Sequence, residues 1–346
     1  MSNDAAVKVK KDFSKNKYYD LFLNYAIYIF LLILIGAIVA IAPEFLAVRN
    51  FEFILTQAST RIIIALGVAG IIIAGGVDLA AGRLAGLAAV VSASLLQSAT
   101  YSGRIYADMP ALPLILPLLL VIVLAVAFSA AQGAVVARFK IDPFITSLGT
   151  SLIVYGALSV YYDAVGHSSP IGGLDPRFSH FAQGFIDLGV IKLYYLMIYA
   201  LIITAIIWFI WNKTKLGKNM YAIGGNPSAA AVSGVNIGWY IVLTYIIAGI
   251  LYGFAGFLEA GRTGSATNTL GTNYELDAIA ACVVGGVSLR GGVGSISGVL
   301  IGVLLFQVIN YGLVFISVSP YVQYIIKGFI IVLAITVDTQ KYLEKK

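Results

Sequence analysis

Charge is what this sequence has least of. Asp, Glu, Lys and Arg make up only 11% of its 346 residues, 60% are hydrophobic, and the mean hydropathy is +0.94. Charged residues normally form about a quarter of a soluble chain. A soluble protein of this length cannot hide so much apolar surface, so the composition excludes that class and implies an integral membrane protein. Cysteine is nearly missing too: Cys282 stands alone in an apolar stretch, which excludes an intrachain disulfide and a thiolate metal site. The two histidines, His167 and His180, share one loop with no cysteine near them, so no metal set is expected. Nor is there a G-x-x-x-x-G-K-[ST]; the nearest stretch, Leu216-Gly217-Lys218-Asn219, lacks the first glycine and the hydroxyl, and this chain does not hold ATP through a P-loop. Without paired acids, a histidine cluster or a nucleophile–base pair, a membrane-embedded enzyme is disfavoured and no cofactor is expected. The net charge of +6 does not indicate nucleic acid, because the lysines are not interleaved with aromatics and mostly occupy short loops.

What is present is a series of apolar runs. A span needs about 20 such residues, and ten segments qualify as candidates: 25–48, 60–75, 79–98, 112–137, 144–163, 193–211, 238–260, 276–290, 294–316 and 321–339. The expected fold is all-α and polytopic, with about ten transmembrane helices in one domain over 25–340, preceded by a cytoplasmic N-terminal segment, 1–24. The run from Tyr25 is too long for a signal-peptide core of about 7–15 residues. Ten spans with the start inside leave both termini cytoplasmic. Fifteen basic residues then fall inside, among them Arg83, Arg138, Lys140, Lys213, Lys215, Lys218 and Arg290. Six fall outside: Arg49, Arg61, Arg104, Arg177, Lys192 and Arg262. That asymmetry follows the positive-inside bias. Lys327, inside the last run, either snorkels to the interface or faces the protein interior.

Three stretches interrupt the apolar pattern informatively. The outer segment 167–192 mixes turn residues with Phe178, Phe181 and Phe185 and should fold as a structured loop with a short helix, either docking a partner or packing over helix ends. "GGVDLAAGRLAGLAAVVSASLLQ" from Gly75 and "GGVSLRGGVGSISGVLIGVLLFQ" from Gly285 echo each other, each joining two apolar helices through a Gly-Gly-Val turn. The third is the basic-flanked loop 212–237. There Asn226 suits an N-cap, Pro227 the first helical position, Ala229, Ala230 and Ala231 the helix, and Gly234 the left-handed position that ends it. A helix of about two turns is not stable alone in water and must rest on something. It is either a surface turn or a coupling helix that fits a groove in a separate motor protein.

The residues here reach a family. "SAAAVSG" (228–234) resembles the E-A-A-x-x-x-G core of the cytoplasmic loop in permease subunits of ATP-binding-cassette importers, with Ser228 in place of the expected Glu and without the usual Ile-x-Leu-Pro continuation. Together with "GGVDLAAGR" (75–83) and "GGVSLRGGVGS" (285–295), it resembles the type II-like branch serving ribose, xylose, galactose and autoinducer uptake. "ASTRIIIALGVAG" (58–70), "DPFITSLGT" (142–150), "FAGFLEAGRTGSATNTLG" (254–271), "YELDAIAACVVGGVS" (274–288) and "SPYVQYIIKG" (319–328) are similar to the galactose/methyl-galactoside group of that branch. The resemblance implies a non-catalytic permease in a bacterial inner membrane, importing galactose or methyl-galactoside, with glucose as a further candidate. It implies a homodimer in the lipid bilayer with cytoplasmic ATP-binding subunits and a periplasmic sugar-binding protein. Asn226, Pro227, Ala229, Ala230, Ser233 and Gly234 would then contact the ATPase.

Candidates for the translocation path come from polar residues at membrane depth: Asp78, Glu275, Gln307 and Asn310. Each has a structural alternative. Asp78 and Arg83 can cap a broken helix and pair, Glu275 and Asp277 can favour a helix N-terminus, and Gln307 with Asn310 can join helices. The rival reading is an ion-coupled secondary sugar transporter, which needs midplane carboxylates; Asp78 is the sole candidate.

Overall fold

Apolar runs become helices in lipid because each backbone N–H and C=O must find its partner within its own segment. The computed structural model describes residues 29, 31–165, 169–189 and 191–343. The N-terminal segment 1–24 and His167 lie outside them. Among the described residues six helices are long and apolar enough to cross a membrane. In chain order the helices begin with α1 (Leu31–Ile41), α2 (Val48–Ile73), α3 (Ala81–Leu95), α4 (Ile115–Phe139) and α5 (Pro143–Ala164). The segment after α5 follows as α6 (Pro176–Gln183), then β1 (Phe185–Asp187) paired antiparallel with β2 (Lys192–Tyr194). Then come α7 (Tyr195–Lys213), α8 (Lys215–Gly225), α9 (Pro227–Val232) and α10 (Ile237–Thr263). The chain continues with α11 (Tyr274–Val284), α12 (Ile296–Phe315) and α13 (Pro320–Leu343). The six full-length spans are α2, α4, α5, α7, α10 and α12; α1, α3 and the Pro320–Leu333 part of α13 are shorter apolar helices.

The expected segments therefore keep their order, but several boundaries move. The first run was expected to continue to residue 48. Instead the chain leaves α1 at Ala42 and makes a 3-10 turn at Pro43–Leu46, where proline cannot continue the helix. The second helix starts at Val48, not at 60. Its first half carries Asn50, Glu52 and Thr56, which interrupt the apolar pattern yet are all buried. Glu52 Oε1 accepts the Lys192 N–H at 2.7 Å, and Thr56 donates to the Glu52 carbonyl. Arg61, expected at the outer start of the run 60–75, lies in the middle of α2 because that helix begins twelve residues earlier. The expected third and eighth spans shrink to 15 and 11 residues, both bounded by glycine turns. The basic stretch 215–225, expected as loop, is helix α8.

Two units can be distinguished, one containing Phe45 and the chain before it with Gly312–Lys346, the other Leu46–Tyr311. In the first, Phe45 meets Phe315 edge-on with centroids 5.7 Å apart. The second holds every candidate site residue. Its centre is α2 and α10. Gly249 and Gly253 let α10 approach α4 so closely that added Cβ atoms would sit 2.9 Å from Val126 Cα and 2.8 Å from Ile122 Cα. Such small residues four apart are how membrane helices gain contact where lipid removes the hydrophobic drive. The opposite faces of α4, α5 and α7 expose Leu119, Val123, Leu152 and Phe209, as a lipid-facing surface should. Between α5 and α7, Asp175 caps α6 by accepting the Arg177 N–H, and Phe178 is fully buried 4.7 Å from the Phe257 ring. The expected short helix is present, and it packs down over the end of α10.

Candidate functional site

Both Gly-Gly-Val stretches end a helix with a left-handed glycine, Gly75 at φ +92° and Gly286 at φ +84°. The pattern of bonds is the same: Gly75 and Gly76 donate to Ile72 and Ile71 carbonyls, Gly286 and Val287 to those of Val283 and Cys282. The register differs by one, because the first glycine of the pair is left-handed in one turn and the second in the other.

These turns meet at the C-terminus of α8. Gly292 donates its N–H to the Ile73 carbonyl at 2.8 Å. A Cβ on Gly224 would collide with that carbonyl and come within 2.5 Å of Gly292 N; one on Gly291 would lie 2.9 Å from Gly75 Cα and 3.0 Å from Gly224 Cα. Tyr221 on α8 donates to the Gly294 carbonyl at 2.9 Å. Three chain segments thus touch backbone to backbone, which only glycine permits. Immediately beyond, Asn226 breaks the helix and α9 begins. Asn226 Oδ1 accepts the Ala229 N–H at 3.0 Å, Pro227 is the first helical residue, Ser233 bonds the Ala229 carbonyl, and Gly234 at φ +81° closes the helix. The local geometry expected from the residues is present. Ala230 is buried, whereas Val232 is 92% exposed, an apolar side chain presented on a helix that rests on the glycine joint.

A second arrangement lies between α2, α11 and α12. Glu259 on α10 is buried, and its carboxylate accepts from Thr60 Oγ1 at 2.7 Å, Tyr274 OH at 2.9 Å and Arg262 Nη2 at 2.8 Å. Arg61 stands 3.9 Å from the same carboxylate with its guanidinium over the Tyr274 ring. Past this network opens a cleft lined by Arg61, Tyr274, Asp277, Phe306, Gln307 and Asn310, with Ile64, Ala278, Ala281 and Val303 as its apolar wall. Gln307 donates to Gln57 Oε1 at 3.0 Å. Arg61 Nη1 and Asn310 Oδ1 are both buried without a hydrogen-bond partner. The space suits a water or two.

Of the four path candidates, Gln307 and Asn310 come together here. Asp78 and Glu275 do not line this cleft. Asp78 is fully buried, accepting from Ala80 N, Gln132 Nε2 and Tyr252 OH at 2.9, 3.1 and 3.0 Å. The expected Asp78–Arg83 pair is absent; Arg83 instead donates to Thr272 Oγ1 and covers the Tyr155 ring, because the turn directs the two side chains to different neighbours. Glu275 is in the first turn of α11 with Oε2 pressed against Gly82. The residues that sequence reasoning passed over are Arg61, Glu259, Arg262 and Tyr274. One signal was available: Glu259 and Arg262 sit at the end of a long apolar run, where ionisable residues are costly and have a purpose.

Residues 50–335 match the sequence profile of a family described as branched-chain amino acid transport system / permease component. The chain is 55% identical over 332 residues to the galactose/methyl galactoside import permease protein of Haemophilus influenzae, covering 96% of this chain and 98% of the relative. It is 54% identical over 329 residues to the protein of the same name from Escherichia coli, 94% of this chain and 98% of that one. The ribose import permease protein of Escherichia coli is 36% identical over 311 residues, 90% and 92% of the two chains. No solved structure matches the chain.

Proposed function

Because the chain belongs to this family of transport-system permease components, we propose that it is the membrane subunit of an ATP-driven importer carrying galactose or methyl galactoside, with glucose as a further candidate. The observation that carries the reading is the 55% identity over nearly the full length of a galactose/methyl galactoside import permease. The family description names amino acids, but its sugar-importing members are the ones this chain resembles at length.

In this reading the chain sits in the inner membrane with cytoplasmic termini, and ten helical segments form the membrane domain, the short α1, α3 and α11 acting as broken or partial crossings. A second copy completes the path. Energy is supplied by a separate cytoplasmic ATPase, and a periplasmic binding protein delivers the sugar. The ATPase grips α9 through Asn226, Pro227, Ala229, Ala230, Ser233 and Gly234, and Val232 supports this by offering an exposed apolar anchor. Movement of α9 passes through Gly224 to the ends of α2 and α11. Gln307 and Asn310 border the sugar path; Asp78, held by three donors, and Glu275, whose Oε2 is buried against Gly82 without a hydrogen-bond partner, shape the helix breaks beside it. An ion-coupled transporter has little in its favour, since three donors already occupy the Asp78 carboxylate.

The test is reconstitution. Vesicles holding the chain, its co-purifying ATPase and a sugar-binding protein should accumulate labelled galactose with ATP after the membrane potential is collapsed. Accumulation by the chain alone, driven by an ion gradient, would overturn the proposal.

A further inference from the structure

The cleft beside Arg61 carries more than a path. It holds a buried donor, Arg61 Nη1, and a buried acceptor, Asn310 Oδ1, each without a partner. Leaving such atoms unpaired is costly, and a ligand supplying hydrogen bonds relieves that cost. The local formal charges balance: Arg61 and Arg262 both face Glu259, and Asp277 lines the same cleft. A carboxylate or ammonium ligand would upset that balance in a place where charge is poorly solvated. Hydroxyls would not, since one O–H both donates and accepts. The apolar wall and the Phe306 ring suit the C–H face of a pyranose.

We propose that this cleft is a hydroxyl-reading subsite for a neutral sugar, in which Arg61 Nη1 donates to and Asn310 Oδ1 accepts from ligand hydroxyls. Glu259 and the Tyr274 ring hold the Arg61 guanidinium in place for this. The inference rests on the sugar-importer reading above. As it stands the cleft admits one hydroxyl, and the proposal requires α11 and α12 to part before a whole pyranose enters. A zwitterionic amino acid, the substrate class the family description names, would have to desolvate two full charges to enter, a cost that a neutral sugar avoids.

The experiment uses the complete reconstituted importer with ATP, comparing galactose with its 2-, 3-, 4- and 6-deoxy analogues for the wild type, Asn310→Ala and Arg61→Lys. One binding protein serves all arms, so its own preferences cancel in variant-to-wild-type ratios. Asn310→Ala should slow galactose uptake about tenfold, the worth of one lost hydrogen bond, and should slow one deoxy analogue far less, because that analogue never made the bond. Arg61→Lys, which keeps the charge toward Glu259, should show the same pattern. Leucine in excess should not compete. Equal losses for every sugar, with reduced thermal stability, would mean these residues only join helices and would overturn the inference. So would wild-type ratios throughout, with ATP-driven galactose uptake intact. If the wild-type complex carries no galactose with ATP, the importer reading itself fails, and the subsite with it.

Discussion

Replacing Gly224 with alanine tests the joint between α8 and the two glycine turns. The new Cβ would overlap the Ile73 carbonyl and lie 2.5 Å from Gly292 N. Carbon and carbonyl oxygen sit about 3.3–3.6 Å apart in ordinary close contact, so α8 and α2 must separate by more than about 1 Å. The 2.8 Å bond from Gly292 N–H to the Ile73 carbonyl crosses this contact and would open. Losing it costs about 0.5–1.5 kcal/mol and overpacking about 1–3 kcal/mol, giving about 2–4 kcal/mol together. Gly225 is the control, because a Cβ there meets nothing within 4 Å. In detergent, Gly224→Ala should melt several degrees below wild type and Gly225→Ala should not. In vesicles, Gly224→Ala should keep its ATPase bound while galactose carried per ATP falls several-fold. If the two variants melt and transport alike, α9 does not work through this joint and the reasoning is refuted.

Three further outcomes are expected. Val232→Asp should leave the melting temperature within the small range of surface changes, about 0.5 kcal/mol, but release the co-purifying ATPase; retention of the ATPase would move the docking surface elsewhere. Glu259→Gln strips the counter-charge from Arg61 and Arg262 and should destabilise the protein by about 3–5 kcal/mol, read as thermal unfolding in detergent; a variant as stable as wild type would mean water already solvates those arginines. At the start of α6, Arg177 holds the Asp175 carboxyl below its ordinary value through hydrogen bonds and charge. A depressed acid stabilises the fold above its unfolded pKa of about 3.9 and loses that contribution as pH falls toward the lowered value. The protection of the Arg177 and Phe178 amides, as exchange rates divided into their intrinsic values at each pH, should therefore fall below about pH 4 and stay flat above it, and Asp175→Asn should abolish the pH step.

How far each of these features could be read from the sequence depends on where its partners come from. α9 was legible because its cap, its proline and its closing glycine all act within nine residues, Asn226 on Ala229 and Gly234 at the end of the same helix. The order of apolar helices was legible for the same reason: in lipid a helix satisfies itself. The start of α2 was not, since Asn50, Glu52 and Thr56 look like loop until Lys192 and Tyr311 arrive to satisfy two of them. The role of Arg61 was not legible because Glu259 and Tyr274 lie some two hundred residues away, as Glu259 does from Thr60 at a separation of 199. Asp78 and Arg83, close in sequence, were paired by proximity and part because a turn at membrane depth aims each at a different helix. In a membrane protein the polar residues are few, and a buried one must find a partner wherever the packing brings one. Those whose partners are remote are the ones that fix how helices meet, which is why the glycine joint and the Arg61 cleft, each built from three or four separate segments, are where motion and substrate are best placed to act.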